Sequence, residues 1–174
     1  MRMMTSLLLA LLAVPVLAQD FPKLKPGLWE MERSADRPTG GPSRTTMCLD
    51  DSVQKDMFTM GVGAMQGMCS KHDFNWSGNR ATGDFVCDMG GSRMHSKSTM
   101  LLTGNSAYRT EIDTTYDPPF MGQARTKMVI DARNVGPCRP GQSPGDIVMP
   151  NGQTMNMRDV LNGKGTVSPP ARPR

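Results

Sequence analysis

Four cysteines behind an apolar leader constrain this chain more than any other feature. They are Cys48, Cys69, Cys87 and Cys138. In the leader, MRMMTSLLLALLAVPVLA, Arg2 precedes an apolar run from Leu7 to Leu17, and the small residues Val16 and Ala18 flank a cleavage point after Ala18. That is the pattern of a Sec-type signal peptide. It predicts a mature chain starting at Gln19 and delivered to an oxidising compartment, the periplasm or the exterior. No cysteine follows Ala18 to carry a lipid anchor, and no later apolar stretch is long enough to span a bilayer. An even set of cysteines in an exported chain predicts disulfides.

The cysteines matter because the core is thin. Residues 19–174 hold 22 Leu, Ile, Val and Phe, or 14%, a level at which disorder competes with folding. Fourteen methionines in the same span are apolar filler. The composition excludes a multi-domain enzyme, a transmembrane bundle and a coiled coil.

Strand signals dominate from Gln19 to Cys138. In AYRTEIDTTY, Tyr108, Thr110, Ile112, Thr114 and Tyr116 share one face, opposite Arg109, Glu111, Asp113 and Thr115. This period of two marks a strand with one wet face. QARTKMVIDA alternates similarly, and Gly104-Asn105 punctuates a hairpin between HSKSTMLL and the Tyr108 strand. GLWEMER and RTTMCL read as two earlier strands around the turn at Gly40 to Ser43. Only Asp51 to Met60 reads as helix, capped from Asp50, Asp51 and Ser52, with Val53, Met57 and Met60 on one side. The expectation is a mainly β fold: a curved antiparallel meander or partly closed small barrel of about seven strands, with one short helix and two disulfides.

Residues 19–138 carry equal numbers of basic and acidic residues, whereas Arg139, Arg158, Lys164, Arg172 and Arg174 face only Asp146 and Asp159 beyond Cys138. The organisation read from this is a signal peptide (1–18), a disulfide-stapled β-domain (19–138) and a basic Pro/Gly-rich tail (139–174). In the tail, DIVMPNGQTMN suggests a small hairpin and NMRDVLNG a helical turn or two.

Four cysteines allow three connectivities. Cys69 and Cys87 are each nine residues from Gly78, so a hairpin folded there sets them opposite one another, leaving Cys48 to pair with Cys138. The same register puts Lys71 beside Phe85, which calls for a bulge. The chain-entropy model gives about 3 kcal/mol for the shorter loop and about 4.6 kcal/mol for the longer. Redox exchange lacks a Cys-x-x-Cys spacing.

Several motifs recur in a known order. PGLWE (26–30) follows the signal, a strand ends in MCLD, a short acidic-capped helix follows, CSKHDFNWSGN leads to DFVC, and the last strand ends in VGPC. This ordered set resembles the exported bacterial domain-of-unknown-function family 3617, from about Lys25 to Cys138. PGQSPGDIVMPNG looks like an extension found in part of that family. The resemblance implies a small β-rich domain in a Gram-negative envelope. It implies no activity and supplies no catalytic residues.

The residues point away from catalysis. His72 and His95 fall on separate predicted strands, and no nucleophile elbow, zinc-protease helix or phosphate loop occurs. No cofactor is expected. Asp50-Asp51 reads as helix capping. The neutral folded part and dispersed tail charges argue against nucleic acid. Two binding readings stand. A curved sheet carrying Trp29, Phe74, Trp76, Tyr108 and Tyr116 encloses an apolar cavity for a small apolar ligand, or serves an envelope partner. Alternatively, thioethers select Cu(I). Met65 and Met68, placed in a Gly-rich loop, are the freest thioethers, with His72 on the strand beyond Cys69.

Overall fold

The computed structural model describes residues 22–36, 43–162 and 164. The predicted signal peptide (1–18) and the SPPARPR terminus lie outside the described residues. Nine strands form one antiparallel sheet: β1 (Gly27–Ala35), β2 (Ser43–Leu49), β3 (Cys69–Ser77), β4 (Arg80–Met89), β5 (Ser92–Thr103), β6 (Ala107–Phe120), β7 (Gln123–Gly136), β8 (Asp146–Val148) and β9 (Thr154–Asn156). Helix α1 (Asp51–Met68) connects β2 to β3, and α2 (Met157–Leu161) follows β9. The strand order is β3-β4-β5-β6-β7-β1-β2-β8-β9. Five consecutive strands make a meander, and the β1–β2 hairpin docks beyond it on β7.

The sheet is open, with β3 and β9 as its edges. It is also curved. Strands β3 and β1 stand five positions apart, about 24 Å on a flat sheet, yet Trp76 and Trp29 line the same cavity. The alternation decides which face turns in. On the outer face, Arg109 forms a fork with Asp131, Arg133 reaches Glu30 at 2.7 Å, and Arg125 pairs with Asp113. These exposed pairs add little stability, but like the alternation they favour one register.

Buried side chains concentrate at one end of the inner face. Trp29, Met47, Leu49, Val53, Ala132 and Met157 form the core, with Leu24, Met31, Tyr108 and Ile147 packed against it. Helix α1 enters this core by its first turn. Asp50 Oδ1 accepts from the Val53 amide at 2.8 Å and from Ser52 Oγ at 2.6 Å, capping the helix and driving Val53 inward.

Two of the sequence motifs lock together here. Gly27, in PGLWE, has φ +130°, and a Cβ there would lie 2.2 Å from the carbonyl oxygen of Gly136, in VGPC. Only glycine permits both the dihedral and the approach.

The disulfides are Cys48–Cys138 and Cys69–Cys87. Cys69 sits opposite Cys87, and the register shifts between Cys69 and Lys71, so that His72 rather than Lys71 faces Phe85. The bulge thereby returns Lys71 to the wet face, where its Nζ meets Asp84 at 2.7 Å.

Three sequence expectations are corrected. Helix α1 runs to Met68, not Met60, despite Gly61, Gly63 and Gly67. Each glycine disfavours helix by about 1 kcal/mol, but the Cys69–Cys87 bridge fixes the strand that the helix feeds. Met65 and Met68 are therefore helical rather than in a loop. Among the described residues the strands number nine, because the hairpin after Cys138 joins the sheet through β2, pairing Thr46 with Val148 and Met47 with Ile147. Helix α2 stands where NMRDVLNG suggests a helical turn or two, and its Arg158 is held by Asp56 of α1 at 2.7 Å.

Candidate functional site: an apolar cavity under helix α1

Beside the core, the inner face of the sheet stays open beneath α1 and leaves a cavity of about 590 Å³. Ligand pockets commonly range over about 300–1,000 Å³. Strands β1 and β2 contribute Trp29, Met31, Met47 and Leu49, and the helix contributes Gln54, Met57 and Phe58. The opposite wall is built by alternation: His72, Phe74 and Trp76 from β3, Phe85 from β4, Ser98, Met100 and Leu102 from β5, and Tyr108 from β6. Pro22 and Leu24 complete it. No Lys, Arg, Asp or Glu lines it.

Most polar atoms in these walls are already committed. Trp29 Nε1 donates to the Lys25 carbonyl at 2.8 Å, and Trp76 Nε1 to that of Gly78 at 2.8 Å. Gln54 clasps the backbone of Leu24, accepting from its amide at 2.8 Å and donating to its carbonyl at 3.0 Å. That clasp fixes residues 22–24 across one margin of the cavity. Burial raises the Tyr108 pKa, so the phenol stays protonated, and its ring stacks on Trp29 at 5.7 Å between centroids.

Gly83 shapes the wall from behind. Its φ is ordinary, but a Cβ there would fall 2.4 Å from the Phe85 ring and 2.6 Å from Ser98 Oγ. The missing side chain is the space into which Phe85 and Ser98 lean.

Of the aromatic residues singled out from sequence, Trp29, Phe74, Trp76 and Tyr108 come together around this cavity. Tyr116 does not. It shares a face with Tyr108, but eight residues along a strand amount to about 26 Å, and Tyr116 stacks instead on Phe120 at 5.8 Å, near the β6–β7 turn. Met31, Met47, Met57, Phe58, Phe85, Ser98 and Met100 escaped sequence reasoning. For Phe85 the Gly78 hairpin register carried the signal, and for Ser98, Met100 and Leu102 the alternation of HSKSTMLL.

The soft-metal set is described only in part. His72 lines the cavity, Met68 on the last turn of α1 is 61% exposed, and the side chain of Met65 lies outside the described residues. Among the described residues, no group of three or more His, Cys, Asp or Glu is placed to hold a metal ion. The histidines occupy opposite faces. His95 lies on the outer face with its Nε2 2.7 Å from Asp84 Oδ1. The Asp84 pKa is lowered, first by the hydrogen bond from Lys71 and then by His95.

Fold and site define a class: a disulfide-stapled, open antiparallel β-sheet wrapped around an apolar cavity that one helix covers. The family model of DUF3617, a protein of unknown function, matches residues 24–138, and the chain belongs to this family. No curated protein matches the chain. The matched residues include all four cysteines and every cavity-lining side chain except Pro22. Strands β8 and β9 and helix α2 lie beyond the match.

Proposed function

We propose that this chain is a non-enzymatic binding module of the bacterial periplasm, exported by its leader, which holds a small apolar ligand in the cavity under α1. The observation carrying this reading is the cavity: aromatic rings and thioethers around about 590 Å³, with no charged lining residue. A chain so short of aliphatic residues would gain stability by closing this space, since burial of apolar surface is the main favourable term in folding. Phe58 and Phe74 instead remain 42% and 40% exposed at its rim. A ligand covering them gains what the fold leaves unburied.

The absence of catalytic function in this reading rests on placement. All four cysteines are bonded, and the two histidines stand on opposite faces of the sheet. No helix among the described residues is long and apolar enough to cross a membrane. The Cu(I) alternative requires Met65, Met68 and His72 to converge, and the outward position of Met68 gives it no support.

The test is titration with the neutral fluorophore N-phenyl-1-naphthylamine. Saturable one-site binding is expected in the wild type. Met100→Trp, which narrows the cavity, should weaken it while the protein still melts cooperatively. An affinity unchanged in this variant would place the site elsewhere. Intact-mass measurement of the exported protein tests the leader, and retention of residues 1–18 would contradict cleavage.

A further inference from the structure

The cavity is not uniform from one side to the other. On the Trp29 side, the indole N–H is spent on a backbone carbonyl and Gln54 on the Leu24 backbone, and the walls are otherwise aromatic, aliphatic and thioether apart from the Tyr108 phenol. The β3–β5 side differs. Ser98 Oγ makes no side-chain hydrogen bond among the described residues and sits in the slot left by Gly83. The His72 ring is likewise without a hydrogen bond, and His72 is exposed, at the mouth. Beyond them, the same face turns polar: Ser96 Oγ and Thr114 Oγ1 bond each other at 3.0 Å.

We infer that the ligand is an uncharged single-chain amphiphile, its tail lying against Trp29 and its one oxygen function, a hydroxyl or carbonyl, received by Ser98 at the β3–β5 side with His72 at the mouth. This rests on the cavity being the binding site, as proposed above. Charge is excluded by the lining. A carboxylate or ammonium drawn into this space would meet no opposite charge, and an unpaired charge taken out of water is costly. A single hydroxyl or carbonyl needs one or two hydrogen bonds, which is what Ser98 and His72 offer.

A second hollow, lined by Lys23, Asp51 and Lys55 along with Pro22, Gln54 and Phe58, adjoins the cavity and is the rival seat for a charged head. Two features argue against it. Lys23 already faces Asp51 at 3.8 Å, and the Gln54–Leu24 clasp stands at the shared margin.

Three probes with the same tail decide between them: 1-dodecanol, dodecanoate and dodecyltrimethylammonium, each displacing N-phenyl-1-naphthylamine from the full mature protein. Dodecanol is expected to bind at least ten-fold tighter than either ion. Ser98→Ala should weaken dodecanol about five-fold, the scale of one neutral hydrogen bond, and weaken it more than it weakens the fluorophore. Lys55→Gln should change neither. Equal or tighter binding of dodecanoate, loss of binding in Lys55→Gln, or indifference of dodecanol to Ser98→Ala would overturn the assignment even with the cavity reading intact. If the fluorophore itself fails to bind, the cavity reading falls and takes this inference with it.

Discussion

The two ends of the inner face use the same kinds of residue differently. Around β1, β2 and β7, Trp29 is 1% exposed and Val53 0%, closed in by the first turn of α1 and by Met157 of α2. Around β3 and β4, Phe74 is 40% exposed, and Phe74 and Trp76 face an unfilled cavity. Both indoles line the cavity, but Trp29 is also core and Trp76 is wall alone. The contrast teaches where stability and recognition reside: the first region holds the domain together, and the second is free to take a ligand because the first, with the disulfides, already stabilises the fold.

The largest expected effect breaks the first region. Replacing both Cys48 and Cys138 by Ser opens a loop spanning a sequence separation of 90 and should cost about 4.6 kcal/mol in denaturant unfolding. The same change at Cys69 and Cys87, separation 18, should cost about 3 kcal/mol. A larger loss from the shorter loop would contradict the chain-entropy account.

The next pair sets the two indoles against each other. Trp29→Ala should destabilise by about 3–5 kcal/mol, as expected for a fully buried aromatic. Trp76→Ala should cost far less stability yet weaken fluorophore binding. Equal destabilisation would mean that the β3 end is core as well.

A smaller effect concerns the cap that sends α1 into the core. Asp50→Ala should cost about 1 kcal/mol near neutral pH. The Asp50 carboxyl is held below its ordinary value of 3.8, first by Ser52 Oγ and then by the Val53 amide. A depressed folded pKa means stability that is fully present above the unfolded value and lost as pH falls through the folded one. The stability gap between wild type and variant should therefore narrow as pH falls below 3.8, and a gap undiminished in acid would show that the charged cap is not the cause.

Much of this contrast was legible in sequence, for local reasons. The hairpin at Gly78, the alternation along AYRTEIDTTY and the pairing of Cys69 with Cys87 depend on residues close in the chain. The docking of β1 onto β7 does not: Glu30 meets Arg133 across a separation of 103, and no local pattern reports it. The length of α1 was hidden because Gly61, Gly63 and Gly67 argue against a helix that tertiary context maintains. The strands of the hairpin after Cys138 are only three residues each, too short to predict as part of the main sheet, although Met157 behind them reaches the core. For the site, the face of each aromatic was readable, but its position along the strand was not, which is why Tyr116 was grouped with Tyr108.

The most direct test of the central claim uses the methionines as reporters. Met31, Met47, Met57 and Met100 line the cavity, whereas Met89 and Met121, 40% and 85% exposed, stand at the turns that follow β4 and β6. In methyl spectra of protein labelled at methionine, adding dodecanol should shift the first four resonances and leave Met89 and Met121 in place. Shifts confined to Met89 and Met121, or none at saturating ligand, would contradict a binding cavity under α1.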